Sequence, residues 1–383
     1  MAEQSPSERV LIAMSGGVDS SVAAALLVQA GYEVVGVTLH LWDHPDDGEV
    51  KGRCCAPEDV HDARRVCDVL GIPHFAFDRR ELFQREVVEP FVDSYLSGET
   101  PSPCVRCNRG VKIKELLALA ERLGASRVAT GHYARINVES GVAKLYRAVD
   151  QSKDQSYFLH MLGAQTLSRL MFPLGSMTKR EVRAEAERLQ LPGATKGESQ
   201  ELCFVPTGRY DELVSSRANG RTQKGHLVDS EGAVLAEHDG IHRFTVGQRK
   251  NLGISTGRRL YVVDVDVRGT VRLGDREELL ADTAVLADVT LADGEQAPLE
   301  CEAVVRYRGT PAPAQLVLVP KQDRSGHADG QRYELRFREP LYAIVPGQVA
   351  VMYSGDRVLG GGSIVRSQAS TPRSLSAQPS ANP

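Results

Sequence analysis

The sequence predicts an open, mostly parallel α/β sheet followed by a small central α+β domain and a C-terminal β-barrel. Three observations carry that expectation. Over the first third of the chain, short apolar runs alternate with helix-forming stretches that end at glycine. From Gly225 onward helical segments nearly vanish, and short β-rich runs separated by Gly, Pro and Asp take over. At 383 residues, 42% hydrophobic and 25% charged, the chain is long enough to bury two or three cores.

Taken in order, Val10 to Met14 reads as a strand that breaks at Ser15-Gly16-Gly17-Val18-Asp19-Ser20 and passes into helix formers from Ser21 to Leu27. Gly31 ends that helix, and Glu33 to Leu39 resumes as a second strand, completing a βαβ unit. The pattern repeats with a helix over 56–70 closed by Gly71, a strand over 73–77, and helices over 81–96 and 111–123, the last closed by Gly124. A strand over 127–130 then runs into Gly131-His132-Tyr133. Such a sheet takes its ligand at the carboxyl ends of its strands, where Ser15 to Asp19, Leu39 and Thr130 to His132 all fall. Further helices are expected over 156–161 and 179–189, the second opened by Thr178 and Glu181 in capping-box spacing. Strands follow over 243–246, 260–265, 270–273, 304–307, 315–319, 333–337 and 349–353. The expected division is a catalytic α/β domain over 7–205, a central domain over 206–281 and a barrel over 282–366. Residues 367–383, mostly Ser, Ala, Gln and Pro, cannot offset their ordering entropy by burial and are expected to be disordered.

Forty-six Lys and Arg against fifty Asp and Glu leave a net charge of −4, which excludes a globally basic nucleic-acid sleeve. Any RNA site must be a local patch. With no basic-then-apolar leader at the start and no apolar run of about 18 residues, a cytoplasmic protein without a membrane partner is expected. Seven irregularly spaced cysteines do not make a disulfide framework, and a reducing compartment suits them better. Cys54, Cys55, Cys67 and Cys301 carry no assigned chemistry. Only 5% of residues are aromatic and Trp42 is the one tryptophan, too few for a broad base-stacking sheet.

Ser15 to Ser21 lies between a strand and a helix, where unpaired N–H groups and the helix dipole favour an anion such as pyrophosphate. The segment lacks the Gly-Lys-Ser/Thr of a Walker A loop, so a lysine reaching the β and γ phosphates is not supplied, which argues against an ordinary kinase or γ-phosphate hydrolase. Around Cys104 and Cys107, two prolines (Pro101, Pro103) stiffen what reads as a loop just before a helix. A thiolate there, beside Arg106 and Arg109, is expected to have a lowered pKa. The same Cys-x-x-Cys is also half of a zinc site. Cys203, between Leu202 and Phe204, reads either as a packed thiol or as a third reactive one.

The motifs Ser15 to Ser21, Thr100 to Lys114, Ala129 to Arg135, Lys153 to Leu159, Ser199 to Phe204, Thr245 to Arg249 and Pro346 to Gln348 occur in one order. That string resembles the bacterial tRNA-specific 2-thiouridylases (the MnmA/TrmU family), members of the PP-loop ATP pyrophosphatase superfamily, over residues 9 to 366. The resemblance implies an ATP-dependent sulfurtransferase that adenylates C2 of the wobble uridine and replaces its oxygen with sulfur. ATP, with Mg2+, would lie on Ala13, Met14, Ser15, Gly16, Gly17, Val18, Asp19 and Ser20, with Leu39 and Gly131 near the adenosine. Cys203 would carry a persulfide loaded by a sulfur-relay protein or cysteine desulfurase. Cys107 would be the second catalytic cysteine, freeing the sulfur through a transient disulfide with Cys203. Ser102, Pro103 and Cys104 would border the target base, and His132 and Gln348 would support the site. Lys153, Asp154, Gln155, Arg306 and Tyr307 would meet tRNA, within a barrel stretch rich in Arg and Lys. Some members carry Asp where this chain has Cys104, so Cys104, Cys107 and Cys203 also make a candidate ligand set for a [4Fe–4S] cluster.

Overall fold

The computed structural model describes residues 8–43, 57–193, 202–205, 209–255, 257–320 and 332–368. The expectations for Cys54, Cys55, Ser199 to Glu201 and the stretch beyond Gln368 lie outside these residues. The α/β portion is built from β1 (Arg9–Ala13), α1 (Val18–Gln29), β2 (Glu33–His40), α2 (Pro57–Leu70) and β3 (His74–Asp78). There follow α3 (Arg80–Phe83), a π-helical turn Gln84–Val88, α4 (Glu89–Leu96), α5 (Pro103–Cys107), a second π-helical turn Asn108–Lys112, α6 (Ile113–Arg122) and β4 (Arg127–Ala129). Next come β5 (Ala134–Glu139), β6 (Val142–Arg147), α7 (Ala164–Leu167), β7 (Leu170–Met171) and α8 (Lys179–Arg188).

The five-stranded sheet has the order β3-β2-β1-β4-β7 and is parallel throughout. Strand β1 is central, and its side chains alternate between two faces. Val10 and Ile12 join Val22, Ala63 and Val182 of α1, α2 and α8 in one core, whereas Leu11 joins Phe83, Phe91, Leu116 and Val128 in the other. The strand order reverses between β1 and β4. Their carboxyl ends therefore open the crevice in which such sheets bind ligands, as the sequence led one to expect.

The middle portion carries α9 (Tyr210–Arg217), β8 (Gly225–Val228), β9 (Val234–His238), β10 (Tyr261–Val265) and β11 (Thr270–Gly274), in the sheet order β10-β11-β8-β9 around Leu227, Val262, Val271 and Leu273. Six further strands form the barrel: β12 (Leu280–Leu291), β13 (Leu299–Val304), β14 (Ala312–Val319), β15 (Arg332–Tyr342), β16 (Val349–Ser354) and β17 (Arg357–Gln368). They are all antiparallel and close through β12 against β17, which removes the sheet edges. Strand β17 reaches Gln368, two residues into the stretch expected to be a tail.

The hairpin β5–β6 does not join the parallel sheet. It adds to the barrel, with Tyr146 of β6 opposite Arg357 of β17. Its residues Ala134, Ala143 and Leu145 share a core with Tyr157, Val304, Val351 and Tyr353. The first module thus lends two strands to the last.

Candidate active site

At the end of β1 the chain turns through Ser15, Gly16 and Gly17 into α1. Gly16 has φ +74°, and a Cβ there would lie 2.5 Å from the Asp59 carbonyl oxygen, so the turn tolerates no larger residue. Gly17 is the N-cap of α1 and offers no side chain, which leaves the first N–H groups of the helix for a ligand. The hydroxyls of Ser20 and Ser21 each donate to the Gly17 carbonyl at 3.0 Å, and the Ser15 N–H donates to Ser20 Oγ at 3.2 Å. Beneath the turn, Thr38 Oγ1 donates to the Met14 carbonyl at 2.9 Å. The loop is held by its own hydroxyls.

Its carboxylate is held from elsewhere. Lys179 Nζ donates to both oxygens of Asp19, at 2.7 and 2.8 Å, and Tyr133 Oη donates to Oδ1 at 2.7 Å. Lys179 is buried at the first position of α8, whose start Thr178 and Glu181 fix in the expected capping box. A lysine therefore does stand at the loop, supplied 160 residues downstream. Nothing local in the sequence marked it, because the capping box beside it reads simply as a helix start. Tyr133 lies within the Ala129 to Arg135 motif, which assigns it no role.

The cysteine motif differs from expectation in two ways. Pro103 is the first residue of α5, not part of a loop, because proline's fixed φ suits the first helical position. Cys104 and Cys107 consequently lie on a helix, and Cys107 is buried against Val111, Leu116 and Phe91. Burial pushes its thiol pKa up, opposed by the charge of Lys112 and a hydrogen bond from the Lys112 backbone, so the expected lowering is overturned. The π-helical turn Asn108–Lys112 begins directly after Cys107, and the buried Asn108 Oδ1 has no partner among the described residues. Cys203 packs against the same core as Cys107, half-buried, with its neighbour Phe204 fully enclosed. Phe204 meets Trp42, Phe83 and Phe91 edge-to-face with centroids 6.1, 5.6 and 5.0 Å apart. Ala13 and Leu39, expected beside the nucleotide, pack on that core too. One apolar core thus takes in Ala13, Leu39, Cys107 and Cys203, while Met14 and Val18 pack on the core of the sheet's other face.

His132 is half-buried, with Nδ1 2.7 Å from Thr130 Oγ1. Burial, with a smaller contribution from Lys112, pushes its pKa down to about 3, so it is neutral at ordinary pH. Lys112 acts electrostatically on both Cys107 and His132 and so links them. Among the described residues no group of three His, Cys, Asp or Glu side chains gathers as a metal site, and the three candidate cluster cysteines do not form one.

Of the residues expected to meet tRNA, Lys153 and Tyr307 line one cavity of about 570 Å3 with Arg147, Tyr157, Arg308 and Tyr353. Asp154 also lines it, but its carboxylate accepts from the N–H groups of Ala148 and Ser156 at 2.9 and 3.2 Å. Gln155 Oε1 accepts from the Tyr133 N–H at 2.9 Å. Both side chains serve the loop's own fold. Arg306 is exposed, while Arg336 and Arg338 pair with Glu334 and Glu300. Gln348 reaches the cysteine segment, where its Nε2 donates to the Thr100 and Pro101 carbonyls at 2.9 and 3.3 Å.

Fold and site together are those of an enzyme that activates a substrate with ATP, with thiols seated over the same core. Three family models match in sequence order: a tRNA methyl transferase HUP domain over residues 8–207, a tRNA methyl transferase PRC-barrel domain over 217–272 and an aminomethyltransferase beta-barrel domain over 282–364. The tRNA-specific 2-thiouridylase MnmA of Sorangium cellulosum is 59% identical over 95% of this chain and 94% of its own. Those of Geobacter metallireducens and Roseiflexus castenholzii are 47% and 45% identical, over 93% and 94% of this chain and 96% and 99% of theirs. This chain belongs to the tRNA-specific 2-thiouridylases. It is an ATP-dependent sulfurtransferase acting on tRNA. The family models speak of methyl transfer and the relatives of thiolation; the relatives match nearly end to end, and their name prevails.

Proposed function

We propose that Cys203 carries the sulfur and Cys107 releases it, over a nucleotide bound at Ala13 to Ser20. The observation that carries this reading is the shared apolar core, on which Ala13, Leu39, Cys107 and Cys203 all pack. The wobble C2 oxygen attacks the α-phosphorus of ATP, and pyrophosphate leaves. Orphan N–H groups at the start of α1 and the Lys179 ammonium favour that leaving group, and Mg2+ would accompany the phosphates. The outer sulfur of a Cys203 persulfide then attacks C2, and the C2–O bond breaks with release of AMP. Cys107 thiolate attacks Cys203 Sγ, giving a Cys107–Cys203 disulfide and 2-thiouridine, and an external dithiol reduces the disulfide. Because Cys107 is buried with a raised pKa, substrate binding must expose it before that last step.

A persulfide-bearing relay protein or cysteine desulfurase, acting in a reducing cytoplasm, would load Cys203. The anticodon arm would pass the cavity between Lys153 and Tyr307, where Arg147 and Arg308 offer charge and Tyr307 an aromatic face. The test is 2-thiouridine formation on unmodified tRNA with ATP and a sulfide or persulfide source, comparing Cys104→Ser, Cys107→Ser and Cys203→Ser. Loss in the latter two alone supports the relay. Loss in all three, tracking iron in anaerobically purified enzyme, would replace it with a [4Fe–4S] carrier. Undiminished product in every variant would overturn the site.

A further inference from the structure

The segment that leads into the cysteine helix, Gly98 to Ser102, is gripped from two directions by modules other than its own. Gly98, at φ +77°, follows α4, and a Cβ on it would stand 3.0 Å from Val265 Cγ1 and 3.1 Å from the Val265 carbonyl oxygen, at the end of β10. Two residues on, the Thr100 N–H donates to the Pro346 carbonyl at 2.9 Å, and Gln348 Nε2 holds the Thr100 and Pro101 carbonyls. Gly347, at φ +87°, lies so close that a Cβ would stand 2.8 Å from Thr100 N. The turn carrying Gly347 and Gln348 is itself stitched to β17, by Gly347 N–H to the Ile364 carbonyl and Ile364 N–H to the Gln348 carbonyl, both 2.8 Å.

The gripped stretch is short and stiff. Pro101 and Pro103 fix two of its φ angles, and α5 starts at Pro103. A displacement at Thr100 therefore passes to Cys104 and Cys107 with little slack. We infer that the barrel turn 346–348, with Val265 of the middle domain, sets the position of the cysteine helix, so that contacts from those two modules govern sulfur transfer separately from adenylation. Gly347 and Gln348 are positioning residues, since they touch the segment's backbone and not the reacting atoms. This inference rests on the functional reading above.

The experiment compares wild type with Gly347→Ala, which wedges a methyl into the Thr100 backbone, and Gln348→Ala, which removes two hydrogen bonds without adding bulk. Pyrophosphate released and 2-thiouridine formed are counted on the same unmodified tRNA with ATP and a persulfide donor, alongside tRNA affinity and the rate at which iodoacetamide alkylates Cys107 in the tRNA-free enzyme. Misplaced thiols leave adenylated tRNA to hydrolyse, so the pyrophosphate-to-thiouridine ratio rises about tenfold or more, with tRNA affinity changed by less than about threefold. Cys107 alkylation speeds up in parallel. If Gly347→Ala fails to fold, Gln348→Ala carries the test alone. An unchanged ratio with both products falling together, or an unchanged alkylation rate, overturns the inference. Wild-type enzyme that releases pyrophosphate yet makes no 2-thiouridine would overturn the functional reading instead.

Discussion

The nucleotide loop and the cysteine helix meet through Ala13 on one apolar core but are prepared to different degrees. Around Asp19 the hydroxyls, the lysine and the tyrosine are within hydrogen-bonding distance before any ligand arrives. Around Cys107 the opposite holds: the thiol is buried, its pKa is raised, and the Cys203 thiol rides on a separate segment pinned by Phe204. In the proposed relay, activation of the substrate would be preorganised and delivery of sulfur would await a rearrangement, an order that would keep a persulfide from other thiols until an electrophile is present.

The sharpest way to break this contrast is to remove either thiol. Cys107→Ser and Cys203→Ser should lower 2-thiouridine formation by roughly a thousandfold or more, with pyrophosphate release falling far less, as read by product chromatography and a coupled pyrophosphate assay. Lys179→Met attacks the other half: pyrophosphate release should fall about a hundredfold, with partial recovery in Lys179→Arg. Next in size, Phe204→Ala should cost about 3–5 kcal/mol in urea unfolding and change the fluorescence of Trp42, its edge-to-face neighbour. Protonation offers a smaller handle. Burial holds His132 near 3 and His160 near 4, below the unfolded 6.5, so the unfolded chain binds more protons in that window. Stability should therefore fall as pH drops below 6.5, by up to about 1.4 kcal/mol per pH unit for each histidine, measured by denaturant titration across pH. The smallest effect is Thr178→Ala, about 1 kcal/mol from the lost cap, seen as a lower melting temperature.

The parallel sheet, its ligand edge and the Ser15 to Ser21 turn were legible because each is written in contiguous residues: an apolar run, a glycine pair, a helix start. The helical start at Pro103 was legible in principle, but the paired prolines read more readily as a stiff loop. What stayed hidden depends on distant pairings. Lys179 meets Asp19 only because α8 packs against α1. Similarly, the hairpin over residues 134–147 is not among the expected elements, and which sheet it joins is fixed by distant partners, since either edge satisfies its hydrogen bonds. The sign of the Cys107 shift was likewise unreadable, because flanking arginines are visible in a sequence and burial is not.

The strand pairing between Tyr146 and Arg357 has a consequence for how the chain is made. Synthesis runs from the N-terminus, so β5 and β6 emerge long before β17 exists to cover them. Until the barrel strands leave the ribosome, Ala143 and Leu145 have Tyr157, Leu159 and Leu167 but lack Val304, Val349, Val351, Tyr353 and Val358 of the core that buries them in the finished protein. A nascent chain halted anywhere short of β17 would present a bare hairpin edge, a natural hold for a chaperone and a natural target for quality control.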